Sequence, residues 1–80
     1  MMGMTRDVSV TDQERDILRH ALGLDRTRIS YRNRYSVTPQ ADTYPVCMGL
    51  VARGLMERGA FHETMIYFHV TDAGKALVMG

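Results

Sequence analysis

A single cysteine, Cys47, in a chain of 80 residues leaves no internal disulfide to hold a fold together. No zinc spacing makes up for it. Cys47, His20, His62 and His69 are nowhere separated by the few-residue intervals of common zinc sites. Such a chain must hold itself by packing one small core, or lean on a second macromolecule. Hydrophobic residues at 45% and charged residues at 24% suit one globular domain rather than a disordered tail. No apolar run reaches the ~18–20 residues that span a bilayer. The opening Met1-Met2-Gly3-Met4 lacks the basic and then apolar blocks of a signal peptide, so a cytoplasmic protein without membrane partners is expected.

Periodicity then predicts an α+β order. Residues 1–10 read as a loose lead-in to a single domain over 11–80. Thr11-Asp12-Gln13-Glu14 is a capping box, and Ile17, Leu18, Ala21 and Leu22 follow at helical spacing. Gly23 is placed to stop that helix, with Leu24 folding back. A second helix is expected from about Asp42–Pro45 to Arg53, with Val46, Cys47, Leu50 and Val51 on its apolar stripe and Gly54 ending it. Leu55 to Arg58 reads as a short strand, Gly59 to Thr64 as a turn, and Met65 to Val70 as the returning strand. In the latter, Ile66, Phe68 and Val70 share one face and Met65, Tyr67 and His69 the other. Thr71 then caps a short closing helix with Ala73, Ala76 and Leu77 inward.

Charge is segregated. Residues 1–25 balance at −2, residues 26–42 at +3, and residues 43–80 at zero. Nine of the ten basic residues are Arg, the side chain suited to bidentate grip of phosphate or carboxylate. Residues 28–37 alternate, with Ile29, Tyr31, Tyr35 and Val37 on one side and Arg28, Ser30, Arg32, Arg34 and Ser36 on the other. An extended segment is expected, interrupted at Asn33, with a helical turn over 26–32 as the competing reading. Arg26, Arg28, Tyr31, Arg32, Arg34 and Tyr35 are the candidate partner-binding residues. Interleaved Arg and Tyr can hold phosphates and stack on bases, or serve as protein hot spots. The alternative is a solvated basic loop whose tyrosines complete the core. Reversing the charge at Arg28, Arg32 and Arg34 is expected to remove binding with little change in stability.

The outward face of the second helix offers Pro45, Met48, Gly49, Ala52 and Arg53. Only Arg53 can donate to a base edge, which argues against sequence reading through this helix. Met48 and Arg53 are counted instead as partner contacts. Cys47 lies on the buried stripe, far in sequence from any base, and reads as core. No catalytic or metal signature stands out, so neither an enzyme nor a cofactor is expected.

The run Leu50-Val51-Ala52-Arg53-Gly54-Leu55-Met56-Glu57-Arg58, followed by a hairpin and Val70-Thr71-Asp72-Ala73-Gly74-Lys75-Ala76-Leu77, resembles the recognition helix, wing and closing helix of MarR-like winged-helix domains. That resemblance implies a small degenerate winged helix of two main helices, a β-hairpin wing and a short closing helix. Four further runs are similar to small phage and prophage proteins: Asp16 to Arg26, Tyr31 to Tyr35, Tyr44 to Met48 and Val70 to Gly74. Proteins of that kind include anti-CRISPR inhibitors, which implies docking on a host CRISPR effector or other nucleoprotein complex in a bacterial cell. The winged-helix resemblance implies the alternative, a DNA-binding regulator that holds phosphates with Arg26 to Arg34, Arg58 and His62, and is a homodimer.

Overall fold

The computed structural model describes residues 10–24, 28–30 and 32–79. Residues 1–9 of the expected lead-in, and the candidate residues Arg26 and Tyr31, lie outside them. The chain forms α1 (Asp12–Leu22), β1 (Tyr35–Val37), α2 (Thr43–Ala52), β2 (Met56–His62), β3 (Met65–Val70) and α3 (Asp72–Met79). The strands make one antiparallel sheet in the order β1-β3-β2. This is the α+β arrangement of a small winged helix, with the hairpin β2–β3 as the wing. Where a winged helix has a helix ahead of α2, this chain has two successive turns, closed by Ala41 N–H on Thr38 O (3.1 Å) and Tyr44 N–H on Ala41 O (3.1 Å). Among the described residues no helix is long and apolar enough to cross a membrane.

The local chemistry expected from the sequence delimits α1 at both ends and α2 at its C-terminal end, while Asp42 makes no side-chain cap at the start of α2. At the start of α1 the Thr11 hydroxyl accepts from Glu14 N–H (3.0 Å), and the Glu14 carboxylate accepts from Thr11 N–H (2.9 Å). At its end Gly23 adopts φ 82°, Leu24 N–H reaches Arg19 O (2.8 Å) and Gly23 N–H reaches His20 O (3.1 Å). The end of α2 repeats the device. Gly54 sits at φ 78°, Leu55 N–H bonds Leu50 O (2.9 Å) and Gly54 N–H bonds Val51 O (3.0 Å). Each is a Schellman motif, and each sends the next residue, Leu24 or Leu55, into the core.

The core lies between the helices and one face of the sheet. Ile17, Leu18, Ala21 and Leu22 of α1, Cys47 and Leu50 of α2, and Ile66, Phe68 and Val70 of β3 are buried in it. Burial along β3 alternates as the sequence predicts, with Met65, Tyr67 and His69 half-buried on the outer face. Val46 and Val51, expected on the stripe of α2, are only half-buried.

Three expectations are corrected. First, β2 does not stop at Arg58; it runs to His62, and Glu63-Thr64 forms the turn. The register shifts between Arg58 and Phe61, so β2 carries one extra residue there, a β-bulge that lets pairing continue past Gly59. Glu63 takes φ 57°, an unusual state for a residue without a short amide side chain, so nothing in the residue types confines the turn to Glu63-Thr64. Second, the inward face of α3 is Gly74, Leu77 and Val78, while Ala73 and Ala76 are exposed. α3 is pulled close by Thr71, whose hydroxyl donates to Gly54 O (2.6 Å) and accepts from Gly74 N–H (3.2 Å). Third, the extended alternation holds only over 34–37. Ile29 is exposed at 74%, so it does not share an inward side with Val37.

Burial fixes the chemistry of Cys47. The thiol is enclosed in the core and desolvation pushes its pKa up to about 11, so little thiolate exists near neutrality. In the native protein Cys47 is expected to resist a thiol reagent such as dithionitrobenzoate, and to react at once in denaturant. Rapid labelling without denaturant would show the core open at α2.

Candidate functional site

The basic segment crosses the C-terminal end of α1, and the hydrogen bonds say why. The last carbonyls of a helix carry its negative dipole end and lack helical partners. Here Arg32 donates from Nε (3.1 Å) and Nη2 (2.7 Å) to His20 O. Arg34 N–H donates to Ala21 O (2.8 Å). Between them Asn33 acts as a substitute strand residue. Its Oδ1 accepts from Val70 N–H (2.7 Å) and its Nδ2 donates to Val70 O (3.0 Å), while Asn33 O meets His69 Nδ1 at 2.8 Å. The pairing of Tyr35 with Phe68 places Asn33 opposite Val70, so this side chain completes the next rung of the ladder. The residue that breaks the sequence alternation thus anchors the segment.

From this frame Arg34 projects over the Tyr67 ring, 5.8 Å from its centroid, a cation–π contact. Tyr35 meets the His20 ring edge-on at 5.7 Å. His20, Arg32, Arg34, Tyr35 and Ser36 line a cleft of about 300 Å³. Every one of these side chains can donate a hydrogen bond and none is an acid. Beside it, across His20 and Tyr35, lies a wider cleft of about 740 Å³ walled by Gln13, Asp16, Ile17 and Arg19. Arg28 is exposed and lines a third hollow of about 170 Å³ with Arg19, Leu24, Val78 and Met79. Among the described residues no carboxylate oxygen lies within 4.0 Å of the Arg28 or Arg34 guanidinium.

The candidate residues therefore divide. Arg32, Arg34 and Tyr35 meet at one cleft, with Arg28 on a neighbouring hollow. Met48 does not belong with them, because it is half-buried and packs against the core. Arg53 is held elsewhere too. Its Nη1 pairs with Glu14 Oε2 at 2.9 Å, on the first turn of α1, whereas Arg32 clasps the last. Six residues of helix, about 9 Å, separate those anchor points. Arg32 also has a structural duty, so reversing its charge would disturb the fold, contrary to the expectation for the triple variant. Sequence reading missed His20, Ser36, Asn33 and Tyr67. Only the pairing register of β1 on β3 brings Tyr67 to the segment and sets Asn33 opposite Val70.

Glu14 sets a pH dependence remote from the cleft. The Thr11 amide holds its carboxyl below the ordinary value of 4.5; desolvation opposes this, and the Arg53 guanidinium lowers it further. A depressed folded pKa contributes stability that is full above the unfolded value and lost as pH falls through the folded one. Glu14→Gln keeps a capping-box acceptor but cannot titrate. Melting curves are expected to show this variant less stable than the parent at neutral pH, with the gap closing below pH 4.5. A gap that stays constant with pH would mean that the charge contributes nothing.

Among the described residues no three of His, Cys, Asp and Glu cluster closely enough to hold a metal ion, and no buried side-chain nitrogen or oxygen lacks a hydrogen-bond partner. No protein-family model, no curated protein and no solved structure matches the chain.

Proposed function

We propose that this chain is a non-enzymatic binding protein that docks on a nucleic-acid-handling assembly through the arginine–tyrosine segment. The observation that carries this reading is the cleft of Arg32, Arg34, Tyr35, His20 and Ser36, rich in donors and with no acid among its described lining residues. Arg28 and Arg34, which have no carboxylate within 4.0 Å among the described residues, favour an anionic surface, and Arg with Tyr gives area and direction to the contact. In biological terms the reading is that of a small phage-type inhibitor, similar in action to an anti-CRISPR. It would work in the cytoplasm of a bacterial host, need no cofactor, and deny a CRISPR effector its DNA.

The second reading is a winged-helix transcriptional regulator. It is favoured by the order of elements and by the wing, where Arg58 and His62 are exposed. Against it stands α2, whose exposed residues Pro45 and Ala52 cannot read bases.

The test is a titration of the protein into guide-loaded effector complexes of several types, reading their binding to target duplex. Loss of target binding at stoichiometric protein is expected for one type. Tight binding to random duplex that weakens steeply with salt, with every effector unaffected, would replace the inhibitor with the regulator.

A further inference from the structure

The two clefts on either side of His20 and Tyr35 differ in kind. The smaller one is a cage of donors. Arg32 is fixed in place by its two bonds to the His20 carbonyl, at 3.1 and 2.7 Å, so its guanidinium plane is set before any ligand arrives. Arg34, immediately before β1, and Ser36 within it stand two residues apart at the sheet's edge strand. The larger cleft is mixed. Ile17 offers an apolar floor, while Gln13, Asp16 and Arg19 can donate to or accept from a base edge. The edge-on pair of His20 and Tyr35 forms the wall between them.

We infer that the paired clefts take one nucleotide of a single-stranded nucleic acid, its phosphate against Arg32, Arg34 and Ser36 and its base beside Tyr35 and Ile17. A base in a duplex is stacked and paired, and cannot turn into a side cleft; a base in a single strand can. A carboxylate from a protein partner would use the donor cage but would leave the second cleft without a purpose. This inference rests on the proposed docking function and narrows it, because the group gripped is then an exposed strand of the target assembly.

The test titrates the whole protein with a short oligothymidylate carrying a 5′-phosphate, with a duplex of the same length, and with inorganic phosphate at constant ionic strength. Amide chemical shifts are followed throughout. The single strand is expected to move Ile17, His20, Arg34, Tyr35 and Ser36, and phosphate alone to move only the residues of the smaller cleft. Arg34→Glu, an exposed position, is expected to weaken the single strand by roughly tenfold, and Arg58→Glu on the wing to leave it nearly unchanged. A preference for duplex, or sensitivity at Arg58 rather than Arg34, would overturn the inference. So would silence toward all three ligands; if effector inhibition still depended on Arg34, the cleft would be a protein contact and the docking function would stand. Silence together with unaffected effectors would remove both.

Discussion

Replacing Gly74 with alanine is expected to lower the melting temperature by roughly 10–20 °C, a loss of about 2–3 kcal/mol in a domain of this size. The direction runs against helix propensity, since alanine in a helix interior is normally better than glycine by about 1 kcal/mol. Packing decides it. A Cβ at position 74 would collide with the Leu55 carbonyl oxygen and would come within 2.7 Å of Val70 Cγ1. The Leu55 oxygen cannot retreat, because it accepts from Thr71 N–H at 3.1 Å and Leu55 N–H is tied to Leu50 O at 2.9 Å. The Thr71 hydroxyl locks the same corner from the other side. Ala76, exposed on the same helix, provides the contrast. Ala76→Gly is expected to cost about 1 kcal/mol, the propensity alone. A Gly74→Ala protein as stable as its parent would mean that α3 stands off from the α2–β2 corner.

The second large effect is expected at Asn33. Its side-chain amide presents the same donor and acceptor as a peptide group, and it meets both polar groups of Val70, a residue only 4% exposed. Asn33→Ala leaves that N–H and C=O unpaired, at about 1–3 kcal/mol each if water cannot reach them. A destabilisation of about 2–4 kcal/mol is expected, with a selective loss of hydrogen-exchange protection at the Val70 amide. Asn33→Asp separates the two bonds. Its carboxylate still accepts from the N–H but faces the Val70 carbonyl with no proton to give, so it should recover only part of the loss. Unchanged protection at Val70 in Asn33→Ala would show that the rung is dispensable.

These two positions also mark where the sequence stops being legible. α1 could be read almost to the residue, because its capping box, apolar spacing and glycine stop are all local signals. The same holds for the end of α2 and for the alternation along β3. Gly74 was opaque because its reason for being glycine is a carbonyl 19 residues earlier in the chain. Ala73 and Ala76 looked like an inward face, yet they are small enough to sit in water at little cost. The length of β2 is hidden by a turn at Glu63-Thr64 that uses none of the usual turn residues and by a bulge whose Gly59 reads in sequence as the start of the turn.

At the candidate site the residue types were legible and their grouping was not. The interleaved Arg and Tyr identified the segment, but α1 sorts it. Arg32 is spent partly on a helix end, Arg34 faces out over Tyr67, and Asn33 holds the segment to the sheet. His20 enters the cleft from a helix whose amphipathic pattern gave it no role beyond exposure. Met48 falls on the outward side of a helical wheel, yet it packs in part against the core.

The most direct measurement compares two variants in the effector-binding assay, each checked by its melting curve. Arg28→Glu/Arg34→Glu alters the segment at two exposed guanidinium groups, and Pro45→Glu/Ala52→Glu alters the exposed face of α2. Both should melt within a few degrees of the parent. If the segment is the contact surface, the first variant no longer keeps the effector from its DNA and the second still does. Inhibition that survives the arginine changes and is lost with those on α2 would put the contact on the helix and contradict the proposal.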